Sequence, residues 1–96
     1  MTLRNISAMS VVLALAGCLD AATVDMTPAQ VALEQARPLA RTYAAPELAA
    51  AQAKLAQAEQ ALAHDAPSEA RRLAEEAEID ARMAWALAEN ERSRRP

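Results

Sequence analysis

The chain has 96 residues, a formal net charge of −3, one Cys, one Gly and an aromatic content of only 2%. Apolar residues make up 53% of it, and 27 of them are Ala. A single Gly leaves few positions for strand turns or phosphate-binding loops, whereas Ala, Leu, Glu, Arg and Gln favour helix. The composition therefore disfavours β-rich and nucleotide-cradling folds and predicts one small all-α domain.

Residues 1–17 are predicted to be a cleaved signal peptide. Arg4 is the only charge before an apolar run of about ten residues, which is short of the ~20 that span a bilayer as a helix. The run ends in Leu15, Ala16, Gly17 and Cys18, which resemble the lipobox of bacterial lipoproteins. That resemblance implies cleavage before Cys18 and covalent lipid, palmitate included, on it. The alternative is an ordinary cleaved signal with an incidental Cys.

The same segment predicts that the protein is located in the cell envelope. Two or three acyl chains anchor a protein stably, where one would be marginal. In enteric lipoproteins Asp directly after the lipidated Cys tends to mean inner-membrane retention, and here Leu19 occupies that position. We therefore expect an outer-membrane anchor facing the periplasm, with residues 18–27 as lipidated N-terminus and tether. No basic stripe or aromatic cluster follows, so nucleic acid is not an expected partner.

Three helices are predicted after the tether. Thr27 and Gln30 form a capping-box pattern at the start of a short helix, residues 28–37, which Pro38 is expected to kink or end. Pro46 suits the start of a second helix, and Asp65 suits the cap of a third. The fold class is all-α: an Ala-rich antiparallel helical hairpin of residues 46–64 and 67–91, preceded by the short helix.

Both long helices carry an apolar face, and in the second its spacing is that of a coiled-coil heptad, with a plain amphipathic helix as the alternative. In the second helix the seam alternates large and small residues, at Leu48, Ala51, Leu55, Ala58 and Leu62. In the third it is mostly Ala and is widened by larger residues: Ala70, Leu73, Ala77, Ala81, Ala84 and Ala88, with Ile79, Met83 and Leu87. Trp85 is expected to pack in the core, with partner anchoring as the alternative.

So few large apolar residues predict self-association or a helical protein partner, because a lone hairpin of this size buries little. The candidate docking face comprises six larger residues of the two long helices: Leu48, Leu55, Leu62, Leu73, Met83 and Trp85.

A family resemblance rests on residues of the predicted hairpin and its approach. They run from Tyr43-Ala44-Ala45-Pro46-Glu47-Leu48 through Ala51, Lys54-Leu55, Ala58, Leu62, Asp65, Ala70-Arg71-Arg72-Leu73-Ala74 and Ala77 to Asp80-Ala81. Over residues 28–90 the chain resembles the bacterial family catalogued as domain of unknown function 4398. In members of that family the hairpin commonly follows a lipoprotein signal and sometimes precedes an OmpA-type peptidoglycan-binding domain. No such domain follows up to Pro96, so cell-wall binding is not carried over from the family. The resemblance implies a shape and a compartment and no activity.

No pattern predicts catalysis or a metal centre. His64 is the sole His and is expected to serve in the turn beside Asp65. The carboxylates of residues 75–80 lack the Glu-x-x-His spacing of bundle metal sites. We therefore expect no enzyme, no metal and no cofactor besides the lipid on Cys18.

The leading functional hypothesis is a lipoprotein that acts as a structural or adaptor element through helix–helix docking. The alternative is an envelope protein that binds peptidoglycan or another anionic polymer, partly through the basic tail of residues 92–96.

Overall fold

A computed structural model describes residues 23–95, which form three helices: α1, Thr27–Tyr43; α2, Ala45–Ala63; and α3, Pro67–Arg94. The all-α class and the antiparallel hairpin of the two long helices are confirmed. Helix α3 packs extensively against both α1 and α2, while α1 and α2 share a smaller interface. The third helix is therefore the central one of the bundle.

The helices run up, down and up. The guanidinium of Arg95 lies 5.6 Å from the ring centroid of Tyr43, so α1 and α3 end together. At the other end Asp25 and Arg71 line the same cleft. We call the end with the start of α1 and the α2–α3 turn the proximal end, and the end with Tyr43 and Arg95 the distal end. At about 1.5 Å per residue, α3 is roughly 42 Å long.

The core is built almost entirely of Ala. Six residues of the predicted α3 face are buried as expected: Ala70, Leu73, Ala77, Ala81, Ala84 and Ala88. The three residues predicted to widen that face, Ile79, Met83 and Leu87, are instead exposed, because the closely packed Ala seam leaves them outside the interface. Helix α1 contributes a matching buried row: Ala29, Ala32, Leu33, Ala36 and Ala40. The larger side chains in the core are Leu33, Leu48 and Leu73, at 3%, 5% and 8% exposure. Small residues at the interfaces let the helix backbones approach closely, as ridges of Ala fit shallow grooves.

The first helix differs from its prediction. It continues through Pro38 to Tyr43 instead of ending at residue 37. Pro38 and Glu34 are both exposed, so the carbonyl that loses its hydrogen bond lies on the solvent side, where water can satisfy it. Ala36 and Ala40 are fully buried on the opposite side, and their packing holds the helix together across the proline. The break comes nearly two turns later, at Ala44.

The predicted caps are also replaced. Thr27 does not cap α1: its backbone N–H donates to Asp25 Oδ1 at 3.0 Å, and this hydrogen bond lowers the pKa of Asp25 below its usual 3.8. Asp65 does not cap α3 but adopts a left-handed φ of 62° after α2. The N–H groups of Ala66 and Asp65 donate to the carbonyls of Ala61 and Leu62, at 2.9 and 3.1 Å. This is a Schellman motif with Asp in the position usually taken by Gly.

Two predicted boundaries move. Val24 is buried and Met26 packs against Ala58 and Leu73, so the last residues of the predicted tether belong to the bundle. Helix α3 continues past residue 91 to Arg94, so most of the predicted basic tail is helical.

Candidate functional site

The lipidation site lies outside the described residues. Cys18 and its recognition residues Leu15, Ala16 and Gly17 precede residue 23, so the lipobox stays a prediction. Thr23 directly precedes Val24, which is buried at the proximal end. Five residues from 18 to 22 would reach at most about 18 Å. A lipid on Cys18 would therefore hold the proximal end close to the bilayer.

The predicted docking face is divided between core and surface. Leu48 is buried in a cluster with Ala36 and Ala40 of α1, and Leu73 in a second cluster beside Met26. Neither is available to a partner, so their assignment to a docking face was wrong. Helix α1 and the residues before it already cover that part of the hairpin. Leu55 is partly buried on the first cluster.

Three predicted docking residues are exposed. Leu62, Met83 and Trp85 have 38%, 54% and 47% of their surface accessible. They do not share one surface: Leu62 lies near the proximal end of α2, Met83 in a cleft with Glu47 and Ala50 of α2, and Trp85 toward α1.

Trp85 contradicts the expectation of core packing. It borders a groove of about 410 Å³ between α1 and α3, with Ala32, Gln35 and Arg82 as the other lining residues. The neighbouring core positions Ala81, Ala84 and Ala88 are fully buried. Helices that approach closely enough to bury Ala leave no space for an indole, so the ring lies at the edge of the interface.

A row of exposed apolar side chains runs along α3. Ile79, Met83 and Leu87 are 58%, 54% and 44% exposed and succeed one another at intervals of four residues. Residues four apart lie on the same side of a helix. This side lies off the Ala seam, and at Met83 it borders the cleft between α3 and α2. We call these three residues the α3 stripe. The sequence pattern places all three on the widened core face, and only Met83 was predicted to dock a partner. The position of Ile79 and Leu87 off the Ala seam indicates their exposure and was visible in the sequence.

One ion-pair cluster joins two helices. The Lys54 ammonium of α2 lies 3.1 Å from Glu76 Oε1 and 3.0 Å from Asp80 Oδ2 of α3. Hydrogen bonds to Asp80 and then Glu76 raise the pKa of Lys54 above 10.5. Hydrogen bonds from Lys54 and, to a smaller extent, from Arg72 lower the pKa of Glu76 below 4.5. The cluster links α2 to α3 at this register, and heptad spacing alone did not predict it.

Charge is segregated along the bundle. The first half of α3 carries five carboxylates and two Arg: Glu69, Glu75, Glu76, Glu78 and Asp80, with Arg71 and Arg72. From residue 81 to 95 there are four Arg and two Glu: Arg82, Arg92, Arg94 and Arg95, with Glu89 and Glu91. Helix α1 is parallel to α3 and repeats the trend, with Asp25 before its start and Arg41 near its end. The proximal end is acidic and the distal end is basic.

Within residues 23–95 no group of three or more His, Cys, Asp or Glu side chains is placed to hold a metal ion. Among the three helices, none combines the length and apolar character needed to cross a membrane. His64 Nδ1 lies 2.8 Å from the carbonyl of Gln60 in the α2–α3 turn, which agrees with its expected role as a turn residue.

The chain was compared with known proteins. Neither the curated proteins nor the solved structures contained a match. A family profile described as a domain of unknown function (DUF4398) matches residues 24–95, which are the three helices together with the residues that precede α1. This match confirms the resemblance seen in the hairpin, and the protein belongs to the DUF4398 family.

Proposed function

We propose that the protein is an outer-membrane lipoprotein that acts in the periplasm as an adaptor, docking a helix of a partner on the α3 stripe. The observation that carries this proposal is the stripe itself. Three large apolar side chains lie on one side of α3, off the core, and are 44–58% exposed. Contiguous apolar surface rimmed by charged residues is typical of protein–protein contact.

The anchoring half of the proposal depends on Cys18. The lipobox supports lipid attachment, and Leu19 supports transfer to the outer membrane. The test is intact mass and membrane fractionation of the full chain, wild type against Cys18→Ser. We expect the wild type to have the mass of residues 18–96 plus acyl chains and to fractionate with the outer membrane. An unlipidated wild type, or unchanged fractionation of the variant, would contradict anchoring through Cys18.

The docking half is tested in the full chain with a photo-crosslinking amino acid at position 83. Met83 is 54% exposed and central in the stripe, so we expect an adduct with a protein partner. The same probe at Gln52, exposed on α2, is the matched control. Equal adducts at both positions, or none at position 83, would count against docking on α3.

A second function is favoured by the segregated charge. The distal end presents Arg41, Arg92, Arg94 and Arg95, and it is the end farther from the proposed anchor. Such an end suits an anionic polymer of the envelope such as peptidoglycan, whose stem peptides carry carboxylates. Attraction between charged surfaces falls with ionic strength, so this binding would be salt-sensitive.

The test of polymer binding is co-sedimentation of the full chain with purified sacculi. We expect Arg92→Gln/Arg94→Gln to lose binding and Arg71→Gln/Arg72→Gln, with the same loss of charge at the proximal end, to keep it. Equal losses in both double variants would mean that net charge and not the distal end governs the interaction.

A further inference from the structure

We propose that the partner of the α3 stripe is a second copy of this chain, whose α3 packs antiparallel about a two-fold axis at Met83. The inference rests on the proposed helix docking and names its partner. In a two-fold interface the same patch serves both subunits, so one self-complementary surface is sufficient. Two properties of α3 make this surface self-complementary in the antiparallel orientation.

The first property is the apolar register. Ile79 and Leu87 lie four residues on either side of Met83, so antiparallel pairing sets Ile79 of each copy opposite Leu87 of the other. Met83 then meets its own symmetry mate, and its flexible thioether can adapt to the space on the axis. All three residues are 44% exposed or more, so no rearrangement of the bundle is needed to present them.

The second property is the charge pattern. Antiparallel pairing lays the acidic first half of α3 against the basic second half of its mate, whereas parallel pairing would lay like charges together. In this register Arg94 faces Arg72 of the other copy. There Arg72 Nη2 lies 3.6 Å from Glu69 and Nη1 lies 2.6 Å from Glu76, and Lys54 also pairs with Glu76. The attraction between the copies therefore comes from the opposite net charges of the two helix halves and not from this pair of Arg residues. Asn90 faces Glu76, to which its amide can donate.

The interface expected from three apolar residues and these charges is small. Proposed attachment to one membrane raises the effective concentration of the copies and offsets that weakness. The dimer is therefore sought in the full chain in its membrane and not in dilute solution.

Disulfide crosslinking tests both the partner and the orientation. Two differently tagged full-length chains, Ile79→Cys and Leu87→Cys, are co-expressed and oxidised in the membrane. We expect the mixed disulfide to exceed either homodisulfide several-fold, and Met83→Cys alone to give a strong homodimer. Gln52→Cys and the unsubstituted chain, which reports any contribution from Cys18, are the controls. An Ile79→Cys homodisulfide as strong as the mixed species would overturn the antiparallel orientation.

A charge substitution on the axis provides an independent check. Met83→Glu places two carboxylates opposite each other, so we expect it to abolish the mixed crosslink. Its circular dichroism should match that of the wild type, because position 83 is exposed. Retention of the crosslink would overturn the proposed axis. If the photo-crosslinker at position 83 labels a different protein and never a second copy, self-pairing fails while helix docking stands. If it labels nothing, both fail.

Discussion

Asp65 holds a backbone conformation that most L-residues avoid. Its φ of 62° closes the Schellman motif after α2, and the short polar side chain tolerates this region better than others do. We expect Asp65→Gly to raise the free energy of unfolding by about 0.5–1 kcal/mol, because Gly pays no steric cost there. Urea unfolding measures the change.

The matched control for this substitution is Asp65→Val. A β-branched residue is poorly tolerated at positive φ, so we expect it to destabilise the chain by about 1–2 kcal/mol. Should Gly and Val have the same effect, the left-handed conformation would not be the cause.

Lys54 makes the stability of the bundle depend on pH at both extremes. The pKa of Glu76 is lowered, so its contribution is present above 4.5 and is lost as pH falls through the folded value. The pKa of Lys54 is raised, so its contribution is present below 10.5 and is lost as pH rises through the folded value. We expect wild type to exceed Lys54→Met in stability between these limits and the difference to shrink beyond them.

The measurement is thermal unfolding of both proteins across that range. Arg71→Met is a suitable control, because the structure gives Arg71 no salt bridge within residues 23–95. A pH-independent difference between wild type and Lys54→Met would show that side-chain packing, not charge, accounts for the role of Lys54.

At the level of the helices, the Ala seam sets how closely the chain can pack. Ala81 is fully buried between α3 and its neighbours, whereas Ala86 is exposed on the same helix. We expect Ala81→Leu to destabilise the bundle by about 1–3 kcal/mol by forcing helices apart. Ala86→Leu adds the same atoms toward solvent and should change little. Equal effects in a denaturant series would contradict a tightly packed seam.

Periodicity predicted this seam and both long helices, because burial repeats at helical spacing regardless of the partner. It could not predict that α1 would cross Pro38, since the local cost of a proline is outweighed by Ala36 and Ala40 packing on the other side. The docking face was misassigned for the same reason. The sequence predicted a short first helix, which left Leu48 and Leu73 uncovered within the chain. In the structure the longer α1 covers Leu48, and the residues before α1 cover Leu73.

Trp85 and Lys54 show what composition and spacing leave undetermined. A large aromatic is usually buried, but interhelical distance decides whether it fits, and here fully buried Ala residues surround the interface. The salt bridges of Lys54 with Glu76 and Asp80 depend on the register between two helices, which no single-helix pattern contains.

The whole bundle depends on α1. The larger buried cluster takes Ala32, Leu33, Ala36 and Ala40 from α1 and Ala81, Ala84 and Ala88 from α3. We expect a chain lacking residues 23–43 to lose most of its helical circular dichroism at 25 °C, since the two remaining Ala-rich helices bury too little surface alone. Deletion of residues 92–95, which removes only exposed positions, is the control. A stable hairpin without α1 would contradict a three-helix cooperative unit.

The up, down, up order has a mechanical consequence. With an odd number of helices, the chain enters at the proximal end and Arg95 lies at the distal end, beside Tyr43. Tension between the two ends of the described chain therefore acts along the α1–α3 interface. That interface is parallel, so sliding one helix past the other strains its Ala contacts together and not one after another. Tension applied between the proximal and distal ends would therefore meet this shear resistance, and the bundle would resist extension along its length.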